Sequence, residues 1–160
     1  MQYAPHSSDT LCIEAEPEKA PARPLPAPQA PSTVTTRQRV LVLDDDDDFR
    51  SVLADFLVTR FFEVTAVRDG AEGLREILKD PFDLIVCDMM MPQVSGEMFY
   101  WAVSRLRPAA RLRFLFITGY QNDPTVQAFF QRVNATVLTK PFTLEAMNTA
   151  MHDVARKLRG

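Results

Sequence analysis

Five consecutive aspartates, Asp44 to Asp48, stand directly behind the apolar run Val40–Leu43, and Asp88 stands directly behind a second run, Leu84–Cys87. Thr118 follows the apolar run Phe114–Ile117, and Lys140 comes shortly after Thr136–Leu138, with Pro141 next. Carboxylates, a hydroxyl and an ammonium make a chemically definite set if they meet. Two unit charges at about 4 Å repel by roughly 4 kcal/mol at an effective dielectric near 20, so clustered carboxylates either take up protons or hold a hard divalent cation. Mg²⁺ suits such a site, because it accepts carboxylate oxygens and keeps waters that a phosphoryl oxygen can displace. A cation there draws a phosphoryl donor toward a neighbouring carboxylate nucleophile and offsets charge as the bond forms. Lys140 adds a second, mobile positive charge, and Thr118 a donor for a phosphoryl oxygen. Together these parts describe acyl phosphate formation on an aspartate.

The elements that would bring them together are short apolar strands alternating with amphipathic helices. Strands are expected at Val40–Leu43, Glu63–Val67, Leu84–Cys87, Phe114–Ile117 and Thr136–Leu138. Between them, Val52, Leu53, Phe56 and Leu57 share one helical face. Leu74, Ile77 and Leu78 mark a second helix, and Met98, Ala102 and Leu106 a third. Val126, Phe129 and Val133 mark a fourth, and Leu144, Met147, Met151, Val154 and Leu158 the last. The first, third and fourth strands read as continuous apolar runs, as parallel strands covered on both faces do. The expected fold is therefore α/β: a doubly wound, flavodoxin-like (βα)5 domain around a five-stranded parallel sheet. Ligands in such sheets bind beyond the carboxyl ends of the strands, where the residues named above fall.

Residues 1–36 differ in kind. They hold seven of the twelve prolines and few large apolar side chains, so they cannot bury enough surface to offset the entropy of ordering. The expectation is a disordered, proline-rich tail over 1–36 and one folded domain over 37–160. A net charge of −3 argues against direct nucleic-acid binding. No apolar run approaches the roughly 20 residues of a membrane span, and the N-terminus lacks the pattern of a signal peptide. Cys12 and Cys87 lie in dissimilar surroundings, which argues against a structural disulfide and for a reducing cytoplasm. His6 and His152 have no metal-ligand spacing, and His152 reads as exposed.

The segments RVLVLDDDDDFRSVL, DLIVCDMMMPQVSG, FLFITGY and LTKPF, in that order, resemble the receiver domains of two-component response regulators. The resemblance covers about Arg39 to Leu158. It implies that Asp88 is the phosphoacceptor, that Asp44 and Asp45 are the acidic pair holding Mg²⁺ together with Asp88, and that the carbonyl of Met90 completes the protein ligands. Lys140 would pair with the phosphoryl group and Thr118 would move toward it. Pro141 matches a position whose preceding peptide bond is usually cis in the family. Gly96 matches the tight turn after the third strand, where a positive φ is easiest for glycine. The implied partners are a histidine kinase or phosphotransfer protein as donor and a downstream protein target, met through the fourth helix, fifth strand and fifth helix. The chain would act as a switch rather than as an enzyme on other substrates. As it stops soon after the last helix, output is expected through protein partners, a phosphorelay or the tail.

Two positions depart from the family pattern. Val137 stands where a tyrosine or phenylalanine usually swings inward on phosphorylation, which puts that readout in doubt; Tyr120 is a candidate substitute at the same rim. Met90, flanked by Met89 and Met91, together with Tyr120 would crowd an attacking water and slow hydrolysis of a phosphoaspartate. The adjacent rings of Phe129 and Phe130 cannot easily face one core, which assigns one ring to a partner or homodimer surface. Two alternatives stand beside the switch. One is a receiver-like scaffold that works without phosphorylation. The other is a haloacid dehalogenase-type phosphatase using the Asp44-x-Asp46 spacing, which leaves Asp88 unexplained.

Overall fold

The computed structural model describes residues 37–160, so the proline-rich segment 1–36, with His6 and Cys12, lies outside the described residues. Five strands alternate with five helices: β1 (Arg39–Leu43), α1 (Asp47–Thr59), β2 (Glu63–Val67), α2 (Gly70–Lys79), β3 (Leu84–Asp88), α3 (Gly96–Leu106), β4 (Phe114–Thr118), α4 (Pro124–Val133), β5 (Thr136–Thr139) and α5 (Leu144–Lys157). A 3₁₀ turn at Pro108–Arg113, unforeseen in the sequence, links α3 to β4. The strands form one parallel sheet in the order β2-β1-β3-β4-β5. This is the expected flavodoxin-like, doubly wound arrangement.

Alternation along each central strand divides the core into two layers. Leu41, Leu43, Ile85, Cys87, Phe114 and Phe116 pack with residues of α2, α3 and α4. Val40, Val42, Leu84, Val86, Leu115 and Ile117 pack on the other face with residues of α1 and α5. Burying both faces explains why β1, β3 and β4 read as unbroken apolar runs. Cys87 is fully buried, and burial pushes its thiol well above the ordinary range.

A polar side chain caps the start of each helix: Asp46, Asp69, Ser95, Asp123 and Thr143 accept hydrogen bonds from backbone N–H groups of the first turn. The aspartate run thus splits by role. Asp46 caps α1, while Asp47 and Asp48 lie in its first turn, where negative charge complements the helix dipole.

Several expectations about helix faces need correction. On α3, Met98 and Leu106 are exposed, and the buried residues are Phe99, Tyr100 and Val103. This helix is apolar around most of its surface, so periodicity allowed two faces; the larger rings take the core, where they meet Phe114 edge-on. Val52 on α1, Leu78 on α2, and Leu144 and Leu158 at the ends of the α5 stripe are likewise exposed. Phe129 is buried, and Phe130 is half-buried, its ring packing beside Phe116 and Phe129. His152 is exposed, as expected.

Candidate functional site

Among the described residues, the buried polar or charged ones are Asp44, Asp88 and Thr118. All three stand at carboxyl ends of central strands, where the last backbone groups emerge from the sheet. Asp44 is 1% exposed and Asp88 7%. With the exposed Asp45 they form one cluster, in which one carboxylate oxygen from each lies within 4.8 Å of the others.

Lys140 reaches this cluster from the end of β5. Its backbone N–H donates to the Thr118 carbonyl at 2.8 Å, and the Lys140–Pro141 peptide bond is cis. The Nζ donates to Asp44 Oδ2 at 2.9 Å and to Asp88 Oδ2 at 2.8 Å. One ammonium therefore bridges two buried carboxylates. Burial alone would lower the lysine's pKa, but its hydrogen bonds to Asp88 and Asp44 outweigh it and raise the value above the ordinary lysine range. Asp44 is shifted upward mainly by burial, which outweighs the hydrogen bonds from Lys140 and the Asp46 N–H; the nearby Asp88 charge adds to the rise.

The second oxygens of the buried carboxylates are tied to the backbone. Asp44 Oδ1 accepts from the Asp46 N–H at 2.9 Å, and Asp88 Oδ1 from the Met90 N–H at 3.0 Å. Thr118 is fully buried, and its Oγ1 accepts from the Tyr120 N–H at 2.9 Å. Its side chain makes no direct hydrogen bond to Asp88 or Lys140 among the described residues. Met90 and Tyr120 expose their side chains at the rim, and Val137 is half-buried in β5.

Gly96 serves the site differently from the expectation. No glycine among the described residues has a positive φ; Gln93, in the loop, does. A Cβ at Gly96 would lie 2.6 Å from the Asp88 carbonyl and 2.9 Å from Met89 Cα, so the small residue is required by close approach of α3 to the end of β3. The Gly96 N–H donates to the Met89 carbonyl at 3.0 Å, fixing that contact.

Two further residues escaped the sequence reading. Arg50 donates to the Asp44 carbonyl at 2.7 Å and pairs with Asp47, holding the acidic turn against α1. A basic residue in the first turn of a helix opposes the dipole, and that anomaly was the available signal. Phe49 turns its ring face to the Lys140 ammonium; no pattern in the sequence marked it.

Three oxygen donors in one cluster, one of them shifted upward by burial, fit a hard divalent cation better than a soft one. Asp45 makes no ion pair or hydrogen bond among the described residues and has its carboxylate to offer. The Asp44-x-Asp46 phosphatase reading fails on geometry, because Asp46 is spent capping α1 while Asp88 sits beside Asp44.

Comparison with known proteins agrees with this arrangement. The model of the response regulator receiver domain matches residues 40–152. The probable chemotaxis protein CheY of Rhizobium etli is 30% identical over 79% of this chain and 99% of its own length. The transcriptional regulatory protein RprY of Bacteroides fragilis is 27% identical over 76% of this chain, which spans about half of that longer relative, 51%. The structure of Vibrio cholerae chemotaxis protein CheY4 superposes with a TM-score of 0.67 at 30% identity, covering 74% of this chain and 98% of the other. Among the described residues, no helix is long and apolar enough to cross a membrane. The chain belongs to the response regulator receiver domain family of two-component signalling.

Proposed function

We propose that this chain is a phosphorylation switch in which Asp88 accepts a phosphoryl group from the phosphohistidine of a histidine kinase or phosphotransfer protein, in the cytoplasm. The observation that carries the reading is the single ammonium of Lys140 bridging Asp44 and Asp88 beside the free carboxylate of Asp45. Asp44, Asp45, Asp88 and the carbonyl of Met90 would hold Mg²⁺. When bound, that ion supplies charge neutralisation for the incoming phosphoryl oxygens.

The protein's own groups do the rest. A carboxylate oxygen of Asp88 attacks phosphorus in line with the phosphorus–nitrogen bond of the donor. That bond breaks, an acyl phosphate forms, and the leaving imidazole keeps the electron pair. Lys140 releases its hydrogen bond to Asp88 and gives it to a phosphoryl oxygen, while Asp44 keeps it close. The Thr118 hydroxyl, which accepts from the Tyr120 N–H, has its own hydrogen to donate to a second oxygen. The change is then read by a protein target.

The test is intact mass after incubation with Mg²⁺ and acetyl phosphate. Wild type should gain one phosphoryl group and Asp88→Asn none. An adduct in both would move the acceptor elsewhere. No adduct in either, with no Mg²⁺-dependent binding of beryllofluoride, would favour a scaffold that works without phosphorylation, the reading that Val137 keeps open.

A further inference from the structure

Away from the carboxylate cluster, α3, the 3₁₀ turn and α4 enclose an open groove of about 510 Å³. Its apolar surface comes from Trp101, Pro108, Leu112 and Val133, and its charged edge from Arg111 and Arg132. Trp101 is 38% exposed and Leu112 53%, an unusual presentation for side chains of that size on one contiguous surface.

The groove is built rather than incidental. The Arg132 guanidinium lies over the Trp101 ring at 4.8 Å and pairs with Glu97 at 3.0 Å, and Glu97 also accepts from Trp101 Nε1 at 3.2 Å. Behind Trp101, the rings of Tyr100 and Phe129 contact it edge-on, so the floor is held by the core. Trp, Tyr and Arg over a rigid apolar floor are the residue types that dominate binding energy at protein interfaces, and rigidity lowers the ordering cost of binding.

We propose that this groove docks a helical segment of a partner protein that carries aliphatic side chains on one face and acidic ones beside them. Charge complementarity selects this occupant. The whole chain is net acidic at −3, yet none of the residues lining the groove is acidic, and the neighbouring Glu97 is already paired with Arg132. Arg111 spends its Nε on the Pro108 carbonyl at 3.2 Å and has no carboxylate partner among the described residues. A second copy is disfavoured, because a two-fold contact through this face sets Arg111 and Arg132 against their own kind. A nucleic acid strand is disfavoured too, since Glu97 would meet its phosphates and Pro108 and Leu112 would have nothing to cover them. The surface stands apart from the phosphoacceptor chemistry and is proposed whether or not Asp88 is modified.

A displayed library of random peptides about four helical turns long, selected on the full wild-type chain, tests the proposal. Selected peptides should carry Asp or Glu beside Leu, Ile or Phe at helical spacing, and their binding should shift the emission of Trp101, the chain's single tryptophan. Arg111→Glu and Leu112→Ser alter exposed side chains and leave the core intact; each should weaken binding by about tenfold or more, as loss of an interface anchor does. A Lys-for-Glu version of the best peptide should recover binding to Arg111→Glu. Selected peptides without acid, or peptides that bind both variants as tightly as wild type, would overturn the proposal. So would tight binding of a single-stranded oligonucleotide through the same residues, or a dimer in sedimentation that Arg111→Glu dissolves.

Discussion

The Lys140 ammonium, bonded to Asp44 and Asp88, also lies 4.2 Å from the centre of the Phe49 ring. Phe49 is itself held edge-on by Phe142, two residues beyond the lysine, at 5.8 Å. The contact gives Lys140 a third anchor that no incoming charge competes for. Phe49→Leu keeps an apolar side chain there but removes the ring quadrupole. Phosphorylation by acetyl phosphate should then slow by about 3- to 10-fold, the range of a cation–π contact near 1 kcal/mol. Phe49→Tyr should retain the wild-type rate. Equal rates in all three proteins would show that the ring only fills space.

Asp45 is expected to matter for the cation and little for the fold. Its carboxylate is exposed and lies within 4.8 Å of those of Asp44 and Asp88. Ion binding to the native state alone should raise stability by about 1.4 kcal/mol at ten times the dissociation constant. Thermal melts with and without Mg²⁺ should therefore show a rise in wild type. Asp45→Asn should melt close to wild type without Mg²⁺, or above it, because one repulsive charge is gone, and should lose most of the rise. An unchanged Mg²⁺ response in Asp45→Asn would remove Asp45 from the ligand set.

Burial raises the carboxyl of Asp44, with a sign that can be checked. A carboxyl held above its unfolded value binds its proton more tightly in the native state, so its contribution to stability declines as pH rises. The decline begins near the unfolded value of about 3.9 and ends once pH passes the folded one. Denaturant unfolding of wild type and Asp44→Asn, without Mg²⁺, should show wild type losing ground to the variant across that window. Once pH has passed the folded value the difference should be flat. Lys140 obeys the same rule at higher pH: its raised pKa contributes stability present below the unfolded value of about 10.4 and lost above its folded one. A wild type that gains on the variant as pH rises above about 4 would contradict the assigned shift of Asp44.

The legible parts of this fold were those with a local cause. Asp88 and Thr118 were found because each terminates an unbroken apolar run, and only a strand covered on both faces needs such a run. The cap of α1 has an equally local cause, since Asp46 bonds its own neighbours. What escaped was decided across the chain. The ring of Phe49 acquires its partner only when α1 and the end of β5 converge, whereas Arg50 was missed although its partners Asp44 and Asp47 lie close in sequence. Gly96 was located, but the reason for it is the Asp88 carbonyl rather than a turn. On α3, apolar residues on nearly every side left the buried face to be chosen by the Phe114 and Phe116 rings, which lie far along the sequence.

The rim bears on how long a signal lasts. Met90 is 49% exposed and Tyr120 57%, and their backbone N–H groups donate to Asp88 and Thr118, which sets both residues beside the mouth of the site. Hydrolysis of a phosphoaspartate requires a water in line behind phosphorus, on the solvent side opposite the Asp88 oxygen. An apolar thioether beside that mouth offers such a water little hydrogen bonding, and the bulk of a tyrosine ring beside it narrows the space through which water arrives. The phosphorylated form of this chain should therefore decay slowly. Met90→Asn replaces the thioether with a group that can orient water, and Tyr120→Ala opens the path. Each should shorten the lifetime, measured as the loss of the phosphoryl mass after removal of acetyl phosphate, without changing which residue is modified. A lifetime unaltered in both variants would place the control of hydrolysis elsewhere.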